Sequence, residues 1–459
     1  MKALRHFFLD GLALLLLLPS PSPAAEPLPT LELVKKLIEI DTSNPPGKEK
    51  AAADFLRDYL ASFGIDAEVL ESAPGRGNLV ARLRGSGEKP ALLLLGHLDV
   101  VPAEAGDWQS PPFRPAVREG YLYGRGALDM KSLVALEVQA FIQAHREGKL
   151  KGDLVLALTA DEEAGGKFGA QFLIDRHWEK VRADFVLNEG SVGQDRDGMH
   201  LYPIQVAEKG VAWTRLKAKG SSGHGSMPAQ DNAVAFLLTA MERLTAKAPP
   251  IRKTEISAEF LRRVAGHQSF PRSFLMRHLF SPPIRWLADT VFADKIASDK
   301  VLNAMLRDTL VPTVLQAGFK TNVIPSEAVG EIDARLLPGR SPEDFLAEIR
   351  KRLEGLPVEA ELLQQNPPNA SPFDTPFFRA FEKAIREADD QALVLPFISP
   401  GATDSRFFRE KGIVAYGLIP LLLKPSDLAG LHGKDERIPV AELERGEKIL
   451  HRVVQEMLH

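Results

Sequence analysis

The sequence predicts an α/β protein: a mainly parallel sheet with helices on both faces, carrying an inserted ferredoxin-like lid domain. Three observations predict it. Short apolar runs alternate with stretches of helical spacing through the first 209 residues, as βα units do. Those runs lack polar–apolar alternation, which suits strands covered on both faces. Beyond Lys209 the strands do alternate, and their order with the helices there is β-α-β-β-α-β. A chain of 459 residues is also too long for one core. The expected division is 26–209 for the first part of a catalytic domain, 210–366 for the lid, and 367–459 for the catalytic domain resumed.

Composition narrows the function. Hydrophobic residues make up 44% and charged residues 26%, as in ordinary globular proteins. A net charge of −4 argues against a nucleic-acid partner. Cysteine is absent, which excludes disulfides, thiolate metal sites and a cysteine nucleophile. Any metal must therefore be held by His, Asp and Glu. Residues 1–25 begin with Lys2, Arg5 and His6, continue through an apolar Leu12–Leu18 run, and end in prolines and Ala24-Ala25. This reads as a secretory signal peptide, with periplasmic or secreted localisation and no membrane span after cleavage.

In order, helices are expected over Thr30–Glu39 and Glu49–Phe63, around an Asn44-Pro45-Pro46-Gly47 loop. Strands follow at Asp66–Leu70, Asn78–Leu83 and from Ala91. Asp129 opens a helix over Ser132–Glu147. Leu154–Thr159 and Asp184–Leu187 are further strands, ending in acidic tips. The lid contains a Val211–Lys219 strand, a Gly-Ser-rich loop around His224 and an Ala233–Thr245 helix. Strands at Thr313–Phe319 and Ala328–Leu336, a Pro342–Leu353 helix and a Val358–Leu363 strand complete it, and Ile413–Leu418 is one more strand. Between them, 249–310 forms a helical insert with interleaved aromatics and an excess of Lys and Arg over acids. It reads as a small subdomain packed on its neighbour, ahead of a membrane-surface or hydrophobic-ligand role.

The chemistry gathers where strands end. His97 and Asp99 lie two apart at the end of the Ala91 strand, so both emerge on one side. Such a carboxylate can fix the tautomer of a metal-bound imidazole. Asp129, Glu162-Glu163, Glu189 and His432 stand at comparable positions. Carboxylates converging on one sheet edge repel one another strongly at low dielectric, and a cation relieves that. Oxygen and imidazole ligands without sulfur suit zinc, with cobalt or manganese as alternatives.

The stretches G-H-L-D-V-V-P, G-R-G-A-L-D-M-K, T-A-D-E-E-A-G-G, N-E-G and H-G-K-D-E resemble the signatures of the di-zinc exopeptidase and deacylase family. That family includes aminoacylase, carboxypeptidase S, glutamate carboxypeptidase, acetylornithine deacetylase and succinyl-diaminopimelate desuccinylase. The resemblance spans nearly the whole mature chain. The aromatic insert and the Thr403–Phe408 stretch look closest to the carboxypeptidase S and secreted N-acyl-amino-acid hydrolase branch.

The resemblance implies two divalent metal ions. His97 and Glu189 would hold one, Glu163 and His432 the other, and Asp129 would bridge them. Asp99 would support His97, Glu162 would be the general base, and a cis peptide would follow Asp129. His224 would steady the oxyanion from the lid. Arg335, Asn322 and Gly401 would bind a free carboxylate on the substrate. The implied reaction is hydrolysis of the amide next to that carboxylate, in peptides or N-acyl amino acids, by a water shared between the metals. A non-catalytic binding protein on this fold and an aminopeptidase are the alternatives. A monomer is expected rather than a homodimer, on the ground that the insert could cover the lid surface used for pairing.

Overall fold

The computed structural model describes residues 26–228 and 230–459. The stretch read as a signal peptide, 1–25, lies outside the described residues. Among those described, no helix is long and apolar enough to cross a membrane.

A nine-stranded sheet forms the centre. Its strands run in the order Ala67–Ala73, Arg76–Leu83, Leu154–Thr159, Leu92–His97, Phe185–Arg196, Val414–Leu423, Met199–Glu208 and the short Asn369–Ala370. Leu393–Ser399 also pairs with Met199–Glu208, in parallel. The Leu92–His97 strand is parallel to both of its neighbours, and Val414–Leu423 is parallel to Phe185–Arg196.

The unbroken Leu92–Leu95 run now has its explanation. Leu92 and Leu94 pack into a core under the helices Thr30–Glu39, Lys131–Glu147, Pro376–Ala388 and Val440–Leu458. Leu93 and Leu95 face the opposite core, with the helices Ala170–Val181 and Ser405–Glu410. All four leucines are fully buried, each contributing about 1.5–3 kcal/mol of apolar burial. Polar alternation is excluded by the two-sided cover.

The second sheet is antiparallel and four-stranded, in the order Thr309–Ala317, Glu327–Leu336, Gly210–Lys219, Val358–Asn366. The helices Ala233–Thr245 and Pro342–Arg352 cover one face and build a core of its own, with Leu216, Leu237, Ile332 and Phe345. The chain crosses between the sheets twice, at Lys209–Gly210 and at 366–368. The crossings touch: a Cβ on Gly210 would lie 2.5 Å from the Pro368 nitrogen.

Helices Thr30–Glu39 and Ala233–Thr245 have the expected bounds, and the others differ by a residue or two. The strands differ more. Phe185–Arg196 continues well past Leu187, so Glu189 lies inside a strand rather than at its tip. Glycines at 190 and 193 conceal that continuation in the sequence. They sit where Gln205 and the Leu421 carbonyl come close. Met199–Glu208 and Leu393–Ser399 were not expected as strands.

The insert comprises five helices between Glu255 and Leu306. Glu255–Ala265 and Lys300–Leu306 pack on the Leu393–Ser399 strand of the central sheet. Arg263 donates to the Val394 carbonyl (3.0 Å) and pairs with Glu382. The packed-subdomain reading thus describes its seat. Its packing on the central sheet differs from the expected cover over the lid, whose edge strand keeps Val311 and Leu315 more than half exposed. The insert also faces the lid, where Arg285 and Asp289 share a cavity with Phe345, Glu348 and Arg352.

Gly417 is where the fold holds Glu189 most tightly. A Cβ there would lie 2.0 Å from the Glu189 carbonyl oxygen, and backbone cannot yield cheaply. Gly417→Ala should lower stability by about 1–3 kcal/mol in denaturant titration and reduce bound metal. Gly106→Ala, whose Cβ would meet nothing within 4 Å, should change neither.

Candidate active site

Asp129 lies just before the Lys131–Glu147 helix, with a cis peptide to Met130, as the resemblance implies. Its two carboxylate oxygens are divided between two histidines. Oδ1 is 3.0 Å from His97 Nε2 and Oδ2 is 2.9 Å from His432 Nε2. Glu189 Oε1 stands 3.5 Å from the same His97 nitrogen, and Glu163 Oε2 3.2 Å from His432 Nε2. Two metal-ligating triads result, His97–Asp129–Glu189 and Asp129–Glu163–His432, each with ligand atoms within 4.8 Å of one another. They share Asp129.

The donor set fits divalent ions. Three carboxylates and two imidazoles meet with no Lys or Arg among them. Glu163 Oε1 is buried with no hydrogen-bond partner, which native structures seldom tolerate without an ion or water. Burial, reinforced by Asp129, pushes the Glu189 carboxyl up to about 7. Hydrogen bonds to Asp129 and Glu163 raise His432 to about 10. For His97 burial opposes the charge, yet Glu189, Asp129 and Asp99 hold it well above its usual range. The site binds protons where a metal would put positive charge.

Asp99 does more than support His97. The ring Nδ1 is 3.0 Å from the Asp99 carbonyl and 3.5 Å from its carboxylate. That carboxylate accepts the backbone N–H of Glu162 and of Glu163, both at 3.1 Å. It therefore aims the acidic turn. The turn needs a left-handed residue, Asp161 at φ +71°. Arg76 Nη2 and Asn44 Nδ2 hold the Asp161 carboxylate at 2.5 and 3.3 Å, while Asn44 also reaches Asp99 at 2.9 Å. With Glu163 turned to His432, Glu162 lines the open cavity. Burial, then the charge of Glu189, pushes its carboxyl well above the usual range.

Several residues in this frame escaped the sequence reading. Glu436 accepts N–H bonds from Gly126, Leu128 and Asp129 at 3.0, 2.6 and 2.9 Å, and pairs with Arg125 at 2.7 Å. It fixes the loop that presents Asp129, and its place four residues after His432 was the available signal. Asp404 accepts from Thr159 at 3.0 Å, and burial pushes it up to about 7. Asn44 and Arg76 carry no local pattern that separates them from surface residues.

A cavity of about 490 Å³ opens over the triads. It is lined by Asp129, Glu162, Glu163, Glu189, His432 and Gly401, among others. His224, Asn322 and Arg335 are not among its lining residues. His224 and Asn322 lie together on a two-stranded ribbon of the lid, where the Gly225 N–H donates to the Asn322 carbonyl at 2.9 Å. Both are exposed. Arg335 forms a bidentate pair with Asp333 at 2.7 and 3.1 Å.

Two overlapping His–carboxylate triads beside a free glutamate, at the carboxyl edge of a two-sided α/β sheet, define a metal-dependent hydrolase. Residues 93–456 match the model of peptidase family M20/M25/M40, and the chain belongs to that family. It is 28% identical to the N-fatty-acyl-amino acid synthase/hydrolase PM20D1 of Mus musculus, over 95% of this chain and 90% of that one. It is 28% identical to aminoacylase-1A of Rattus norvegicus, over 93% and 94%. A metallo-carboxypeptidase of the M20 family from Sulfolobus solfataricus shares the fold, with TM-score 0.70 and 18% identity over 93% of this chain and 98% of that one. Human carnosine dipeptidase 1 gives 0.62 at 20% identity, over 93% and 95%.

Without metal, the site ties stability to pH. A carboxyl raised from its unfolded value, as Glu189 is to about 7, costs stability as pH rises through that interval. A histidine raised as His432 is, to about 10, stabilises below about 6.5 and loses that contribution as pH climbs through its folded value. Both act in one direction between pH 6 and 9. The metal-free protein should therefore melt lower at pH 9 than at pH 6, and added zinc should raise the midpoint more at the higher pH. Equal metal-free midpoints, with no effect of zinc, would refute this origin of the charge balance.

Proposed function

We propose that this protein hydrolyses the amide bond next to a free carboxylate in N-acyl amino acids or peptides. One observation carries the reading: Glu162 lines the same cavity as the two triads that share Asp129. In this reading His97, Asp129 and Glu189 hold one divalent ion, and Asp129, Glu163 and His432 hold a second. Zinc suits the ligands. Bound there, the ions supply Lewis acidity toward the scissile carbonyl and lower the pKa of the attacking water.

The protein's own residues do the rest. Glu162 accepts the water's proton and returns it to the leaving amine. Its raised affinity for a proton suits that return. Asp99 keeps Glu162 and Glu163 at their separate tasks through the two backbone N–H bonds. Gly401 lies in the cavity wall with its N–H donating to Ser399 Oγ at 3.1 Å; on carboxylate binding that N–H would turn to the substrate, with Asn322 and Arg335 added from the lid. His224 would steady the oxyanion, and the lid must move for it to do so. The paired crossings at Lys209–Gly210 and 366–368 suit a hinge. We place that closure within one chain. The basic and apolar start of the sequence supports export, to the periplasm or the outside.

The test is turnover of a panel of N-acyl amino acids and dipeptides by zinc-loaded protein, read as released amine. Glu162→Gln should keep its metal content and fold while losing at least a hundredfold in kcat, with little change in KM. Retention of a tenth of the wild-type kcat would remove Glu162 from the mechanism. Refolding Glu162→Gln together with His224→Ala should restore no activity, whereas recovery would place His224 in a second copy's site.

A further inference from the structure

The reaction cavity has two kinds of wall: the polar Thr403 and Arg406 with Gly401, and the apolar Val192, Pro203, Phe397 and Ile419. A second cavity, of about 140 Å³, lies between the helical insert and the central sheet. Gln194, Pro203 and Phe397 line both cavities and so form a wall common to the two. The insert contributes Phe260, Val264, Met276, Leu302 and Met305 to the second one, and the sheet contributes Leu395. Its walls are mainly apolar, with Gln194 and the Arg196–Asp299 ion pair as the polar members.

We propose that this second cavity receives the acyl chain of the substrate, and that the insert sets acyl-chain length. The assignment rests on the N-acyl amino acid reading of the active site and narrows it to medium-length acyl groups. Four arguments carry it. A hydrolysed N-acyl amino acid has a charged end and an apolar end on opposite sides of the amide. The cavity offers the polar Gly401–Arg406 side to the first and the Pro203–Phe397 side to the second. The second cavity adjoins that apolar side through the shared Pro203 and Phe397 wall. Its size is close to the ~150 Å³ apolar cavity that accepts benzene, which sets room for about six carbons. Two of its walls are methionines, flexible side chains that adapt to chains of differing length.

The energetics give a measurable slope. Each methylene taken from water into an apolar wall should raise kcat/KM about fourfold, until the cavity is full. For one amino acid, activity should climb from acetyl to roughly octanoyl and then level. Changing the amino-acid side chain at constant acetyl should give no such climb.

Leu302→Trp should fill the cavity. It should cost at least tenfold in kcat/KM on octanoyl substrates and less than twofold on acetyl ones, with melting temperature checked alongside. Met276→Ala, which enlarges the cavity, should shift the optimum to longer chains, so the assignment stays testable if the tryptophan variant misfolds. A wild-type profile flat in acyl length, or variants that change amino-acid preference instead, would overturn the cavity assignment and leave the hydrolase reading standing. Failure of the wild-type protein to cleave any N-acyl amino acid would overturn both.

Discussion

The division of Asp129 between two histidines is the constraint on which the site depends. One short carboxylate must face His97 and His432 at once, within hydrogen-bond distance of each. That is possible only if a strand end, a helix start and a loop near the C-terminus meet at one point. Glu436 secures the meeting from behind by accepting three backbone N–H groups of the Asp129 loop. Around it, three carboxylates and two imidazoles meet with no Lys or Arg within the two triads. In a low-dielectric setting such crowding is unfavourable unless protons or metal ions supply positive charge. The same crowding leaves Glu162 with a high proton affinity, and a group that accepts and returns a proton uses that property.

Much of this was legible because it is local. Residues two apart in extended backbone share a side, so His97 and Asp99 could be paired from spacing alone, although the strand itself ends at His97. The different tasks given to Glu162 and Glu163 came from the resemblance, and the pair sits in a short 3-10 turn, Glu162–Ala164, beyond the Leu154–Thr159 strand. The leucine run at 92–95 announced a strand with two covered faces. The rest was hidden because it is non-local. Arg76 and Asn44 reach Asp161 across 85 and 117 residues. Asp99 serves Glu162 and Glu163 through backbone N–H groups, which no side-chain pattern records. Glu189 seemed to end a strand because glycines follow it, yet those glycines permit close packing inside a longer strand.

The insert shows the same limit at a larger scale. Its aromatics and basic residues resemble those of a surface-binding segment, and several aromatics do remain exposed, Phe270 and Trp286 among them. Its inner side has a different use. Ile256 and Met305 join the main core, and Phe260 and Val301 pack against it. The insert thereby encloses apolar space next to the reaction cavity. The lid, by contrast, holds His224 and Asn322 exposed at a short ribbon, outside the lining of the reaction cavity.

The central claim is that one aspartate serves two metal ions. Metal content per folded chain, measured by elemental analysis after zinc loading and with the fold checked by circular dichroism, tests it most directly. The wild-type protein should hold two ions. His97→Ala and His432→Ala should each retain about one, and Asp129→Ala should retain neither. An Asp129→Ala protein that binds as much zinc as either histidine variant would contradict the account.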